Sequence, residues 1–381
     1  MVFLSMLLCF ALAAPVFARR KPRNPNFGKK RRYSAAAAPA VSSGTAVSSS
    51  TAPAAPALPI ERMPAGRWDP AVKAALEEFI ASKGKAAAGY DALQPPVAVL
   101  GLDDEALQND AGVAVFQKLV EKADFKFDDA FWRVFPLEYG RQRLRVAYEQ
   151  FSETPVATWE SQPGYLRYRK GFFVAYRDMC AKLGRVECRS WLARLWRGFT
   201  PEDGAAYAAA AVAEELKRPL GVQLFRESAD DAEPVRIRRG LAPIPEIVGL
   251  CALLLRSGFD VWILAADLQA VAEAGAKPFG VDPTRVAGLH LSLAKERFSD
   301  VVVSPVAVRG GKVELTASLI GRNPVFAAGS SREDVELLSY GTGLRLLFHR
   351  GDPDLDRLAV DRGWLRQSAF AKPAPEGKLG P

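Results

Sequence analysis

After Gly240 the chain takes up an alternation that few folds can satisfy. Apolar runs at 260–265, 286–291, 300–308, 324–328 and 344–348 are interleaved with helical stretches, beginning with 244–257 and 267–275. Strands alternating with helices need crossover connections, and crossovers build a parallel sheet covered by helices on both faces. The fold class read from this pattern is α/β, with a Rossmann-like parallel sheet core. An earlier apolar run, 96–102, enters through Pro95-Pro96 and leaves into acids, and it supplies another strand of the same sheet. Between these parts, residues 140–217 are almost wholly helical in pattern. Phe172, Phe173, Tyr176, Met179, Cys180 and Leu183 make one apolar face. Thr200-Pro201-Glu202-Asp203 is a helix start: a capping hydroxyl, Pro in the first turn, then acids. The helical block is read as an inserted, mostly helical cap domain, and 218–240 as an irregular excursion that ends it. Ligands of open α/β sheets sit at the carboxyl ends of the strands. The residues that end 96–102, 260–265 and 324–328 are therefore expected to line a site.

The flanks differ in composition from this body. Residues 2–18 are an apolar run ending in Val16-Phe17-Ala18, small residues at the spacing of a signal-peptidase cut. Residues 1–18 are read as a signal peptide and the protein as exported, to a periplasm or outside the cell. No base precedes the run and eight Lys or Arg follow it within 19–32, so a membrane anchor is the alternative. Residues 19–59 read as a basic, then Ala/Ser/Pro-rich linker that cannot bury enough surface to order itself. The N-terminal helix and first part of the core are assigned to 60–130. The cap is assigned to 131–240, the rest of the core to 241–370, and a flexible tail to 371–381. The net charge of +8 lies wholly in the basic run, because the remaining 43 Lys and Arg balance 43 Asp and Glu. A neutral body offers no footprint for a phosphate backbone, so no nucleic-acid partner is expected for it. The basic segment is left as a contact for anionic surfaces. With two histidines, His290 and His349, histidine metal sites and Ser-His-Asp chemistry are poor fits. Cys180 and Cys188 stand either as a disulfide or, with Cys251, as buried small hydrophobes.

Five stretches carry a resemblance: VAVLGLDDEALQNDAGVAVFQ from Val97, SWLARLWRGFTPED from Ser190, GFDVWILAAD from Gly258, GRNPVFAAGSSREDVELL from Gly321 and GLRLLFHRGDPDLDRLAVDRGWL from Gly343. In order and content they resemble haloacid-dehalogenase-superfamily phosphatases, phosphoserine-phosphatase-like with a helical cap and laid out like the phosphorylcholine-phosphatase type. The resemblance implies a nucleophilic Asp after the first strand, which here is Gly101. It implies a general acid/base two residues on, kept as Asp103, and a Thr that is here Glu105. A Ser or Thr after the second strand is here Ala265. The charge-neutralising Lys corresponds to Lys312, also the candidate for anion binding. The magnesium-binding Asp of a Gly-Asp-x-x-x-Asp motif is here Ser330, and the second Asp is kept as Asp334. Phosphoryl transfer needs a nucleophile and charge neutralisation, and magnesium asks for one or two carboxylates. No catalytic set is intact on this reading, no metal and no cofactor are expected, and the chain reads as a binding or scaffold module.

The alternative is a phosphomonoester hydrolase with relocated carboxylates, Asp103, Asp104 and Glu105, in which Glu105 turns toward the space Gly101 vacates; magnesium belongs only to that alternative. A third reading is a structural protein tethered through its basic segment. Blander roles stand beside these. Asp334 caps a helix, Lys312 is an ordinary loop lysine, and Arg236, Arg238 and Arg239 are a solvated run rather than a lining for an anionic small molecule. Trp191, Trp196 and Phe199 are cap core rather than an aromatic cage.

Overall fold

The computed structural model of the protein describes residues 62–102, 104–303 and 305–370. The signal peptide, linker and tail expected at 1–18, 19–59 and 371–381 lie outside the described residues. The chain divides into Met1–Ala55 and Pro56–Pro381, and every described residue belongs to the second unit.

That unit opens with helix α1 (Pro70–Lys83), capped by the Asp69 carboxylate and burying Val72, Leu76 and Ile80. Strand β1 (Val97–Gly101) is buried at every position. It leads through a tight loop to β2 (Leu107–Gln108) and helix α2 (Ala111–Lys122), whose cap is Asp110. Next come α3 (Asp129–Val134), α4 (Arg141–Glu149), α5 (Pro163–Leu183), α6 (Arg185–Arg194) and α7 (Pro201–Glu215). Thr200 caps α7 as its sequence demands, accepting from the Asp203 N–H at 3.0 Å. The segment expected to be irregular at 218–240 is instead an antiparallel hairpin, β3 (Gly221–Phe225) with β4 (Val235–Arg239). Its pattern was legible in Val235-Arg236-Ile237-Arg238: the apolar pair faces in and the arginines face out, the period of two of a half-buried strand. Strand β5 (Ala242–Pro243) then pairs with β2. Everything from α3 to β4 thus leaves and returns beside one two-stranded ribbon.

The remainder runs α8 (Pro245–Arg256), β6 (Asp260–Leu268), α9 (Gln269–Ala276), β7 (Val286–Ala294), β8 (Arg297–Val303), α10 (Gly310–Leu315), β9 (Phe326–Gly329), α11 (Val335–Tyr340), β10 (Leu344–His349), α12 (Pro353–Asp361) and β11 (Leu365–Ser368). The main sheet has seven strands in the order β11-β10-β9-β1-β6-β7-β8. Strand β1 lies between β9 and β6 and is parallel to both. The last pair, β7 with β8, is antiparallel. The strand expected over 300–308 ends at Val303.

Strand alternation splits the core into two layers. Ala98, Leu100, Ile263, Phe326 and Phe348 face one side, where they join the aromatic interior that continues through α2 and α5. Val97, Val99, Trp262, Leu264 and Leu347 face the other, against Leu337, Leu355 and Trp364. The interior around α5 is built from rings, with Phe125 stacked on Phe172 at 5.3 Å and Trp191 edge-on to Phe135 at 5.0 Å. Trp191, Trp196 and Phe199 are only 2–4% exposed, so they are packing residues and form no open cage. Cys180 and Cys188 are joined as a disulfide between α5 and α6, with Cα atoms 5.0 Å apart; Cys251 is free and buried.

Candidate functional site

The carboxyl ends of β1, β6 and β9 converge on a cavity of about 280 Å³. Gly101, Glu105, Ala265, Lys312, Ser330 and Asp334 all line it, although more than two hundred residues separate the first from the last. Asp103 lies outside the described residues. Three loops do the positioning. The first follows β1 and turns sharply at Asp104, at φ +61°, a left-handed conformation that Asp tolerates better than most residues. It is held by the ribbon: the Ile244 N–H donates to the Ala106 carbonyl at 2.9 Å. The Asn109 side-chain amide donates to the carbonyls of Arg239 and Gly240 at 3.2 and 2.8 Å.

Glu105 is the residue that defines the site. It is 5% exposed, and its carboxyl turns back to accept from the Gly101 N–H at 2.8 Å. A Cβ built on Gly101 would meet the two Glu105 carboxyl oxygens at 2.4 and 2.7 Å. The Glu105 carboxyl therefore fills the space into which a side chain at position 101 would project. Ser330 donates to it from the far side at 3.4 Å. Burial and the neighbouring Asp334 charge push the Glu105 acid well up; Lys312 and the Gly101 N–H oppose this without reversing it. Its surroundings thus favour the uncharged form of the Glu105 carboxyl.

Asp334 is the ionised partner in the cluster. Its pKa is lowered: burial works against ionisation, but Lys312 and hydrogen bonds from Ser331 and the Ser330 N–H outweigh it. The Ser330 and Ser331 N–H groups donate to it at 3.0 and 2.9 Å, and the Ser331 hydroxyl at 2.8 Å. With Ser331 it forms a capping box that opens the turn before α11, so the capping role and the site role fall on one carboxylate. Lys312, in α10, sets its ammonium on Asp334. Those two charges raise each other's ionisation, so the Lys312 proton is held firmly despite burial. Ala265 at β6 presents only a methyl group.

The rim is ion-paired. Arg350 hydrogen-bonds the Asp104 carbonyl and lies 3.6 Å from its carboxylate. Arg185, the first residue of α6, pairs with Glu333 at 2.9 Å. Of the three arginines near Gly240, Arg239 is buried and bound to Glu121 and Glu215 at 2.7 and 3.0 Å. Arg236 and Arg238 instead edge a second cavity. Sequence reasoning missed Arg189, which is 1% exposed in its side chain and sits between Asp110 and Asp267, the latter at 2.8 Å. Gly112 makes room for Asp267, since a Cβ there would lie 1.9 Å from its carboxylate oxygen. One arginine in a helical run carries no mark of burial, so no signal was there to read.

Among the described residues the donor set does not suit magnesium. Among the described residues no group of three or more His, Cys, Asp or Glu side chains is placed to hold a metal. Of the four described carboxyls that line the cavity, Glu105 is pushed toward its uncharged form, Asp334 carries the Lys312 ammonium, and Asp104 and Glu333 pair with Arg350 and Arg185. A hard dication needs ionised oxygen ligands that are not already neutralised.

The chain places its first sheet strand between β9 and β6, inserts its helical cap in the ribbon just after that strand, and brings Lys312 and Asp334 from later loops to the strand's end. The fold is a Rossmann-like α/β sheet with an inserted helical cap. No family model matches the chain, and no curated protein matches it. A solved structure of a conserved protein of unknown function from Anaerococcus prevotii is similar at 22% identity, with a TM-score of 0.68, covering 81% of this chain and 93% of that one. A haloacid-dehalogenase-family hydrolase from Salmonella enterica matches at 12% identity and a TM-score of 0.35, over 66% of this chain and 64% of its own. A probable phosphoserine phosphatase from Vibrio cholerae matches at 11% and 0.35, over 70% and 59%. Identities this low bear on fold alone, and the last two likenesses are too distant to carry more.

Proposed function

We propose that this chain is an exported binding module on a haloacid-dehalogenase-like fold, in which phosphoryl transfer no longer operates. One observation carries the reading: the space in front of Gly101 is filled by the buried carboxyl of Glu105. A covalent mechanism needs an ionised nucleophile aimed at phosphorus. Glycine offers none, and Glu105 accepts from the Gly101 N–H in a buried site that disfavours its ionised form. Lys312, the charge expected to hold a phosphoryl group, is committed to Asp334. Export is supported by the apolar run before Ala18 and by the Cys180–Cys188 disulfide, a bond that persists in oxidising compartments.

The same carboxyl favours a second reading, since a relocated carboxylate does turn into the vacated space. A nucleophile at Glu105 would first have to lose its proton beside Asp334, in a buried site, which ranks this reading second. The full chain, assayed with p-nitrophenyl phosphate and phosphoserine in magnesium, is expected to release no phosphate above the buffer rate. Calorimetric titration with magnesium is expected to show no saturable heat. Turnover that Glu105→Gln abolishes would replace the binding module with the relocated-carboxylate hydrolase.

A further inference from the structure

Among the described residues that line the first cavity, Arg185 alone comes from the cap; the others stand on core strand ends and loops. Its Nε meets a Glu333 carboxylate oxygen at 2.9 Å, with the two side chains 47% and 22% exposed. The pair thus spans the opening from cap to core. An exposed pair of long side chains contributes little unless its ends are already in place, because holding both in one geometry costs entropy.

Here both ends are in place. Glu333 stands in the turn before α11, where its carbonyl accepts from the Arg309 N–H at 3.1 Å and its N–H donates to the Ser331 hydroxyl at 3.2 Å. Arg185 stands at the corner between α5 and α6. Gly184 makes that corner at φ +83° and ψ 173°, a region essentially closed to residues with a Cβ. Cys180 and Cys188 lie at equal distances in sequence on either side of Gly184, and their bridge ties the last turn of α5 to the first turn of α6. The middle of α6 is anchored separately, by Arg189 on Asp110 and Asp267. What the bridge adds is the placing of the one turn that carries Arg185.

We propose that the Cys180–Cys188 bridge and the Gly184 corner hold Arg185 on Glu333 as a clasp across the opening of the first cavity, and that this clasp sets how readily a molecule enters. A corner fixed in advance lets the pair close with little further loss of freedom. The clasp acts on access alone, so it stands whether the cavity binds or hydrolyses what enters.

The full chain carrying Ala265→Cys tests it. Ala265 lines the cavity and is 3% exposed, so a thiol in its place is reached through the opening. The buried Cys251 reports global unfolding in the same molecule. Labelling of each thiol by iodoacetamide under native conditions is followed by peptide mass spectrometry. Arg185→Ala and Glu333→Gln are each expected to speed labelling at position 265 by about three- to fivefold, the scale of an exposed ion pair, and to leave Cys251 unchanged. Cys180→Ser with Cys188→Ser is expected to give the same rise at position 265 relative to Cys251, and to add nothing to a chain that already carries Arg185→Ala. Gly184→Ala keeps the bridge and brings its Cβ against no neighbouring atom, so it tests the corner even where the bridgeless chain fails to fold. It too is expected to speed labelling at position 265 and to add nothing to Arg185→Ala. Labelling at position 265 that ignores Arg185→Ala and Glu333→Gln overturns the clasp. Effects of the bridge or corner that multiply with Arg185→Ala, or that raise Cys251 as much as position 265, give them a stabilising role only and overturn the inference.

Discussion

Gly101 and Glu105 are four residues apart and depend on each other's identity. The glutamyl carboxyl fits only because position 101 has no side chain. Gly101→Asp alone is therefore expected to overpack the site and destabilise the protein by about 1–3 kcal/mol. Adding Glu105→Thr should recover most of that loss, and urea unfolding of the two single variants and the double variant measures the coupling. A pH signature follows from the same carboxyl. The folded state holds the Glu105 proton well above the ordinary glutamate range, whereas the unfolded chain releases it near the ordinary value of 4.5. The folded state then binds more protons than the unfolded one, so this residue's contribution is complete below that pH and is lost as pH rises toward the folded pKa. Glu105→Gln cannot ionise. Its stability relative to the wild type is expected to improve between pH 5 and pH 8 in urea titrations, and a constant difference would mean that Glu105 is ionised in the folded protein. The sequence carried this site unevenly. The resemblance named Gly101, Glu105, Ala265, Lys312, Ser330 and Asp334, and the length of a glutamate where the family has Thr hinted that its carboxyl could reach the space at Gly101. The capture of Lys312 by Asp334 was hidden, because pairing depends on distances that residue order does not contain.

Elements were legible wherever one period ran unbroken. β1 is apolar at every position, as a strand buried on both faces must be, and the cap of α7 was readable in four consecutive residues. The hairpin was missed because its strands are only five residues each and the loop between them is rich in polar residues. Two features now fix these elements, and each is open to measurement. The Cys180–Cys188 bridge closes a short loop between α5 and α6. Breaking it with a Cys180→Ser, Cys188→Ser pair is expected to cost about 2.5 kcal/mol by the loop-entropy relation, read as a drop in urea midpoint that dithiothreitol reproduces in the wild type. The hairpin is tied down by Arg239, with Glu215 also 5% exposed in its side chain and accepting from the Gly240 N–H at 2.8 Å. Arg239→Ala removes the buried counter-ion of that carboxylate and leaves it to the partly exposed Arg218, at 2.8 Å. The expected loss is about 3–5 kcal/mol, and Glu215→Gln in the same chain should return part of it.

At the scale of the molecule, cap and core share one interior. Rings from α2, α5 and α6 meet in a single cluster, and the apolar face of the sheet runs into it without a break. Unfolding in urea is accordingly expected to be one transition, coincident by tryptophan fluorescence and far-ultraviolet circular dichroism; separated midpoints would show that the two parts are independent. The α/β class was readable from the alternation after Gly240, whereas the shared interior was not, because contacts between distant segments leave no local period. Arg189 turns this arrangement into a lock. It reaches from α6 to the partly buried Asp110 at the start of α2 and to the buried Asp267 on β6. Swinging α6 away would leave buried charges unmatched, at about 3–5 kcal/mol, which keeps such open forms to between roughly one molecule in a hundred and one in several thousand. Traffic to both cavities must then run through their side openings rather than through a hinge, and the residence time of a bound molecule should be governed by the width of those portals.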